Sequence, residues 1–288
     1  MSYIELKNVS YRYPLAEADA LKNINYAFEE GKLYGIIGEN GGGKTTFCDL
    51  IKGLIPSFYG GDLTGEVFIK GKEIREWESS ALASTIGYIF QNPFTQISGI
   101  KETVFEEIAL GLENLGVERE EIIERVTNVV RQLKIEHLVK NNPNKLSGGQ
   151  RQRVAFASII AMETDILVID EPTSQLDPKG TSDIFEIIHL LKEQGKTILL
   201  VEHKIDLIAE YADEVLVIKQ GELITNGKTS DVFSNVNLLN EGVNIPQIAL
   251  LSNDMKEQGK SFDTFAITRS QAREQILKKV VKKYVIRS

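Results

Sequence analysis

The sequence predicts an α/β fold built around a parallel sheet of short, buried strands. Two unbroken apolar runs, DILVIDEP (165–172) and KTILLVEH (196–203), are flanked by helical patterns, which is typical of buried parallel strands. A third run, LYGIIG (33–38), leads directly into a glycine-rich stretch that a helical pattern follows. The 288 residues, 42% hydrophobic and 26% charged, suit one large domain or a domain with an appendage.

The other elements follow from the same periodicities. Residues 4–13 alternate apolar and polar side chains as a strand does, with a change of phase near Asn8. After the glycines, TTFCDLIKGLI (45–55) reads as a helix that Pro56 ends. Further predicted elements are strands at 65–70 and 86–90, two helices within 102–135, a hairpin over 214–227 that turns at Gln220 and Gly221, and a final amphipathic helix over 272–284.

Composition limits the location and the metal chemistry. No window approaches 18 consecutive apolar residues, and the start, MSYIELKNVS, lacks the pattern of a signal peptide, so the expected location is the cytoplasm. A single cysteine, Cys48, and three histidines exclude an internal disulfide framework and leave little for a nitrogen or sulfur metal cluster. Any catalytic metal is therefore expected to have oxygen ligands.

The charge is unevenly distributed along the chain. A net charge of −8 argues against nucleic acid as the main partner. Residues 269–288 nevertheless carry +6, which leaves −14 on the remainder. This basic tail consists of Arg269, Arg273, Lys278, Lys279, Lys282, Lys283 and Arg287, opposed by Glu274. Two interpretations stay open: a solvated helix whose lysines complement the helix dipole, or a segment near anionic lipid headgroups, where each charge contributes about 1 kcal/mol.

The glycine-rich stretch GENGGGKTT (38–46) fits a phosphate-binding loop. Glycines let successive backbone N–H groups point at an anion, and the following helix adds its positive dipole end. In this pattern Lys44 neutralises the β- and γ-phosphates and the Thr45 hydroxyl ligates Mg²⁺. The predicted nucleotide-binding residues are Gly38, Glu39, Asn40, Gly41, Gly42, Gly43, Lys44, Thr45 and Thr46. The loop alone does not name the reaction, because kinases, GTPases and motors share it.

Two adjacent acids, Asp170 and Glu171, end the apolar run ILVID. The carboxyl edge of a parallel sheet is where such phosphate loops also open. There Asp170 would hold Mg²⁺, and Glu171 would orient or deprotonate the attacking water. The competing interpretation is a solvated strand end, which the neighbouring phosphate loop disfavours.

A second anion-binding helix start is encoded by LSGGQRQR (146–153). Ser147 is a good N-cap, and two glycines leave the backbone open before a strong helical run. One nucleotide needs only one such cradle, so the second is either a plain capped helix or a contact to another nucleotide.

Taken together, these motifs resemble those of the ATP-binding subunits of ABC transporters over residues 1 to about 235. The resemblance implies a P-loop NTPase of ABC type: a parallel core sheet, an antiparallel N-terminal β subdomain, a helical subdomain at about 92–160 and a small C-terminal extension at 236–288. It also implies that two chains, head to tail, sandwich two ATP molecules. The signature residues that act on the partner's ATP are then Ser147, Gly148, Gly149 and Gln150.

The resemblance assigns four further positions. Tyr13 corresponds to an aromatic residue that stacks on adenine, although packing in the core is an alternative because Tyr11 alternates with it. Gln91 matches the glutamine that contacts Mg²⁺ and the attacking water and communicates with the membrane partner. His203 matches the histidine at the γ-phosphate, and Asp177 lies in the loop that links the two active sites. Gln175 departs from the small residue common in that loop, which leaves its fine geometry open.

Within the family the chain is most similar to the ATPases of energy-coupling-factor transporters and of cobalt or nickel importers. The matches are FQNP (90–93), Gln96 and GLENLG (111–116). Such systems import vitamins or metal ions with two ATPase subunits, a scaffold protein and a substrate-binding membrane protein. The resemblance therefore implies a translocase ATPase at the cytoplasmic face of the membrane, paired with itself or a paralogue, with an extension at 236–288 that supports pairing.

Other functions stay open at this point. The chain could energise another ABC importer or exporter, or it could be a soluble ABC ATPase. Only 54 residues separate Gln91 from Leu146, which disfavours the chromosome and repair ATPases with their long coiled-coil insertions. The retained Lys44, Glu171 and His203 disfavour a module that has lost hydrolysis. The transported substrate is not encoded here, because the ATPase never touches it.

Overall fold

The computed structural model describes residues 2–260 and 262–285. It consists of two compact units: a larger unit formed by residues 1–33 and 45–201, and a smaller unit formed by residues 34–44 and 202–288. Arg287, the last residue of the basic tail considered above, lies outside the described residues. None of the helices in the described ranges is both long and apolar enough to cross a membrane.

Strands and helices alternate along most of the chain. The strands among the described residues are β1 (Ile4–Arg12), β2 (Leu21–Phe28), β3 (Leu33–Ile37), β4 (Asp62–Ile69), β5 (Lys72–Glu73), β6 (Ile86–Ile89), β7 (Ile166–Asp170), β8 (Thr197–Val201), β9 (Glu214–Lys219) and β10 (Glu222–Lys228). The α-helices are α1 (Lys44–Ile51), α2 (Ser79–Thr85), α3 (Pro93–Gln96), α4 (Val104–Asn114), α5 (Arg119–Gln132), α6 (Gly148–Ala161), α7 (Pro178–Glu193), α8 (Ile205–Tyr211), α9 (Thr229–Ser234), α10 (Gln247–Glu257) and α11 (Arg269–Val285).

An antiparallel sheet in the order β2-β1-β4-β5 begins the larger unit. In β1 the predicted change of phase is confirmed: Asn8 has a positive φ of 50°, and the register with β4 shifts between Lys7 and Ser10. The bulge lets Ile4 and Leu6 before it, and Val9 and Tyr11 after it, all be buried.

The larger unit also contains parallel strands in the order β8-β7-β6. Every residue of β7 and β8 is buried, which confirms the interpretation of their unbroken apolar runs. Helix α6 packs against β6 and α4, and the predicted helices within 102–135 are confirmed as α4 and α5. Because β7 ends at Asp170, the acid pair lies at the carboxyl edge of these strands.

In the smaller unit, β3 pairs in parallel with β9, and β9 forms the predicted hairpin with β10. Gln220 and Gly221 both have positive φ, 50° and 82°, which is what a two-residue type I′ hairpin turn requires. Helix α11 extends the predicted helix at both ends. A small cluster joins α10 to the start of α11 through Phe262, Ala266 and Ala272.

The end of α1 corrects one prediction. The helix ends at Ile51, and Pro56 is not what ends it. Gly53 has a positive φ of 75°, and the Gly53 and Leu54 N–H groups donate to the carbonyls of Leu50 and Asp49. This is a glycine-terminated Schellman ending, so Gly53 ends the helix four residues earlier than predicted.

The β1 bulge generates a stability prediction. Gly65 of β4 has a positive φ of 79°, and a Cβ there would lie 2.4 Å from the Asn8 carbonyl oxygen. Gly71 has nearly the same φ, 78°, but a Cβ there would meet no atom within 4 Å. We expect Gly71→Ala to lower the free energy of unfolding by about 1–2 kcal/mol through its left-handed backbone. Gly65→Ala should lower it by about 1–3 kcal/mol more, because backbone atoms must move.

Urea unfolding of the two alanine variants, followed by circular dichroism, measures this difference. Equal losses in the two variants would show that the close approach of β4 to the bulge is not a constraint on the fold.

Candidate functional site

The phosphate loop of the smaller unit is held close to the β9–β10 hairpin. A Cβ on Gly38 would lie 1.9 Å from the Ile218 carbonyl oxygen, and the φ of Gly38 is 147°. The Gly221 N–H donates to the Gly42 carbonyl oxygen at 2.8 Å. Gly38 must therefore be glycine for both space and conformation, and the loop conformation is fixed by the hairpin.

Lys44 is folded back onto this loop. It is only 6% exposed, and its Nζ donates to the carbonyl oxygens of Gly38 and Glu39, each at 2.9 Å. An ammonium group held at the loop's own carbonyls is preorganised to receive an anion bound by the loop. The predicted contact of Lys44 with the β- and γ-phosphates stays a prediction.

His203 lies beside the phosphate loop in the smaller unit. Its side chain and those of Glu39 and Asn40 line one cavity of about 230 Å³, together with Gly38. Buried Glu202, which sequence reasoning missed, accepts hydrogen bonds from the backbone N–H groups of His203 (2.9 Å) and Lys204 (3.2 Å). The turn that presents His203 is thus held by a carboxylate whose burial no sequence pattern revealed.

Tyr13 and the threonines after the loop lie in the larger unit. Thr45 is exposed, whereas Thr46 is buried and its hydroxyl lies 3.2 Å from the Tyr13 hydroxyl. The Tyr13 ring packs edge-on against Tyr11 and Tyr59, with centroid distances of 4.8 and 6.0 Å. The ring is half-buried, so packing and adenine stacking, the two interpretations left open, both remain compatible with its position.

Asp170 is a buried carboxyl group, 6% exposed. Its Oδ2 accepts a hydrogen bond from the Tyr88 hydroxyl at 3.2 Å. Burial, and then the charge of Glu171, raise the pKa of Asp170, and burial next to Asp170 raises the pKa of Tyr88. The negative charge of Asp170 is therefore incompletely compensated by the protein.

Glu171 is turned out of the strand direction. Its φ is +44°, and its N–H donates to the Val201 carbonyl oxygen at 2.9 Å. The Gln91 side chain, at the end of β6, donates from Nε2 to Glu171 Oε2 at 2.5 Å. The structure thus brings together two of the predicted catalytic residues, Gln91 and Glu171.

The predicted signature residues begin α6. Ser147 is the N-cap, and Ser147 and Gln150 form a reciprocal capping box, with Gln150 N–H to Ser147 Oγ at 3.4 Å and Ser147 N–H to Gln150 Oε1 at 3.0 Å. A Cβ on Gly148 or on Gly149 would meet no atom within 4 Å. Packing within this chain therefore does not explain the two glycines.

Asp177 is the N-cap of α7, and its Oδ1 accepts from the Gly180 N–H at 2.7 Å. A cavity of about 320 Å³ is lined by Asp177 together with Gly149 and Gln150, so the signature and the Asp177 loop face the same space. Of the described residues that line it, none is Gln91, Asp170 or Glu171. The larger unit therefore presents two separate groups of predicted site residues.

An apolar groove is lined by Phe90, the residue before Gln91, and was not predicted in detail. It has a volume of about 540 Å³ and is lined by apolar and aromatic side chains, among them Phe58, Trp77, Leu82, Phe90 and Met162. Phe58 is 76% exposed and Phe90 42% exposed. The exposed aromatics come from distant segments, so only the FQNP motif at 90–93 signalled one edge of the groove.

The donor set fits Mg²⁺. The predicted ligands, Thr45, Gln91 and Asp170, offer a hydroxyl, an amide and a carboxylate oxygen, which are hard ligands of the kind that Mg²⁺ prefers. All three belong to the larger unit. Burial, and then the charge of Glu171, raise the pKa of Asp170, and a cation bound there would favour its ionised form.

A phosphate loop, a strand-end acid pair and a second glycine-led helix start define a nucleotide-hydrolysing α/β ATPase. A family model described as ABC transporter matches residues 21–174, a little over half of the chain. The chain belongs to the ABC transporter family and is an ATP-hydrolysing ABC ATPase.

Relatives and solved structures place it within the family. The energy-coupling factor transporter ATP-binding protein EcfA2 of Acetivibrio thermocellus is 36% identical over 285 residues, covering 98% of this chain and 97% of that protein. CbiO1 of Clostridium perfringens, part of the ABC transporter complex CbiONQ, is 31% identical with a TM-score of 0.73. The match covers 83% of this chain and 94% of the CbiO1 chain. The ATP-binding cassette MJ0796, solved as a dimer bound to ADP and Pi, is 30% identical with a TM-score of 0.67. The match covers 78% of this chain and 98% of that cassette. The predicted family, the predicted similarity to the energy-coupling-factor group and the predicted fold class are confirmed.

The signature helix generates a second prediction. We expect Ser147→Ala to lower the free energy of unfolding by about 1 kcal/mol, because α6 loses its cap. Gly149→Ala should leave it unchanged or raise it by up to about 1 kcal/mol, since alanine favours the helix and the added Cβ meets open space.

Urea unfolding measures both variants. A clear loss of stability in Gly149→Ala would mean that the chain's own fold requires the glycine, and would contradict the conclusion that packing does not explain it.

Proposed function

We propose that this chain is the ATP-binding and hydrolysing subunit of an energy-coupling-factor-type importer that takes up a vitamin or a metal ion. The observation that carries the proposal is the apolar groove lined by Phe90, the residue before Gln91, because an ATPase that drives a transporter needs an exposed surface on which its membrane partner docks. The names of its relatives support the same group. The alternatives are another ABC importer or exporter, or a soluble ABC ATPase.

In the proposed reaction, the backbone N–H groups of residues 38–43 and the Lys44 ammonium bind the phosphates of ATP. Tyr13 stacks on adenine, and the hydroxyl of Thr45 joins Gln91 and Asp170 as a ligand of Mg²⁺. Bound Mg²⁺ supplies charge neutralisation at the phosphate oxygens. Thr46 follows the loop and is held by Tyr13.

Glu171 then orients the attacking water and accepts its proton as the water oxygen attacks the γ-phosphorus, and ADP leaves. The short contact between Gln91 and Glu171 supports this pairing of roles. His203 contacts the γ-phosphate and stabilises the charge that develops on it. Its position beside the phosphate loop in the smaller unit supports this role.

A second ATPase chain completes each site in this proposal. Residues 147–150 of one chain contact the γ-phosphate held by the partner, and Asp177 links the two sites. The open space around Gly148 and Gly149 supports an approach from outside the chain. The dimeric state of the similar cassette MJ0796 supports the same arrangement.

The remaining partners are integral membrane subunits, reached from the cytoplasmic face, and no nucleic acid is involved. Residues 1–235 form the ATPase domain in this proposal, with its helical part at about 92–160. Residues 236–288 form an extension that supports pairing with a second copy or a paralogue.

Glu171→Gln tests the catalytic assignment. The amide keeps the shape and can still accept from Gln91, but it cannot accept the proton of water. We expect the phosphate-release rate to fall at least about 100-fold, while ATP binding and ATP-dependent dimer formation survive. A phosphate-release assay measures turnover, and light scattering with ATP measures dimer formation, which requires ATP binding. Retained turnover would show that another group is the base.

The companions of the chain test the transport assignment. The tagged chain is purified in mild detergent from membranes of its own cell, and the companions are identified by mass spectrometry. We expect a second ATPase, a polytopic scaffold and small membrane proteins. Phe58→Glu in the groove should lose the membrane proteins and keep ATPase activity, whereas Ile123→Glu, a change at another exposed apolar residue on α5 and outside the groove, should keep both. Recovery of the chain alone, or with ribosomes or DNA, would contradict the transport function.

A further inference from the structure

Gln96 closes the loop that carries Gln91. Its side-chain Oε1 accepts from the Phe90 N–H at 3.1 Å, and its Nε2 donates to the Tyr88 carbonyl oxygen at 3.2 Å. A primary amide offers one donor and one acceptor in the spacing of a peptide group. Strand β6 ends its run of parallel strands, so the Gln96 side chain extends the hydrogen bonding along an edge that the described strands leave open.

Two residues close to Phe90 in sequence contact the acid pair, Asp170 and Glu171. Tyr88 donates from its hydroxyl to Asp170, and Gln91, one residue beyond Phe90, donates to Glu171. The two hydrogen bonds of Gln96 therefore fix the backbone from which the Gln91 amide extends. Without them the loop between β6 and α3 would lose its side-chain closure.

Gln96 also contributes to the apolar groove. Gln96 lines the groove together with Tyr88 and Phe90. The Tyr88 and Phe90 rings pack edge-on with centroids 4.5 Å apart, and the Lys52 ammonium lies 3.3 Å from the Tyr88 ring centroid. A group bound in the groove would therefore contact Tyr88 and Phe90, the two residues whose backbones are hydrogen-bonded to Gln96.

We propose that Gln96 is a positioning residue that holds the Gln91 amide at the Glu171 carboxylate. The inference rests on the proposed catalytic roles of Gln91 and Glu171. It assigns no contact with ATP to Gln96, which acts only through Gln91.

The test compares kcat and KM for ATP of the purified full-length chain with Mg²⁺. In Gln96→Ala we expect kcat to fall by about 10- to 100-fold, because the Gln91 amide is misplaced, and KM to change by less than about threefold. Gln96→Glu keeps nearly the same shape but cannot donate a hydrogen bond to the Tyr88 carbonyl oxygen. It should therefore lower kcat in the same way, and it serves as the second variant in case Gln96→Ala folds poorly. Gln194→Ala, which truncates an exposed glutamine at the end of α7, is the matched control and should behave as wild type.

A double-variant cycle separates positioning from a merely structural role. If Gln96 acts through Gln91, adding Gln96→Ala to Gln91→Ala should lower kcat by less than about twofold further. A full additional loss in the double variant, or wild-type kcat in both single Gln96 variants, would overturn the inference while leaving the proposed ATPase function intact. Absence of ATP hydrolysis in the wild-type chain would overturn both.

Discussion

Two adjacent carboxyl groups at the end of β7 must be kept in different environments, because like charges at this distance oppose each other's ionisation. Asp170 is buried under the Tyr88 hydroxyl, whereas Glu171 leaves the strand through a left-handed backbone and accepts from Gln91. The proposed function gives the two acids different tasks: Asp170 would bind a cation, and Glu171 would receive a proton. Tyr88, Gln91 and Gln96 are arranged around this division.

The phosphate loop depends on a different constraint, the close approach of backbone to backbone. The Gly38 position leaves no space for a side chain against β9, and Lys44 is held at the loop's own carbonyl oxygens. In the proposed function, the phosphates of ATP replace these carbonyl contacts of Lys44. The loop is therefore ready for its ligand before the ligand arrives, which limits the entropy lost on binding.

Much of the fold was predictable because its signals are local. The strands β7 and β8 follow from unbroken apolar runs, the β1 bulge from a change of phase at Asn8, and the hairpin turn from Gln220 and Gly221. The end of α1 was predicted wrongly because a proline was weighted above Gly53, which ends the helix first. The contact of Tyr88 with Asp170 and the groove were not predictable, since they are assembled from segments far apart in sequence. The burial of Glu202 was missed because no local pattern marks it.

In the proposed function, each ATP is hydrolysed between two chains, with the phosphate loop of one chain and the signature residues of the other. A structure of the Glu171→Gln variant with ATP and Mg²⁺ tests it most directly. We expect two chains and two ATP molecules, with each ATP contacting Lys44 of one chain and Ser147 of its partner. ATP contacting Lys44 and Ser147 of the same chain, or bound to a single chain without a partner, would contradict it.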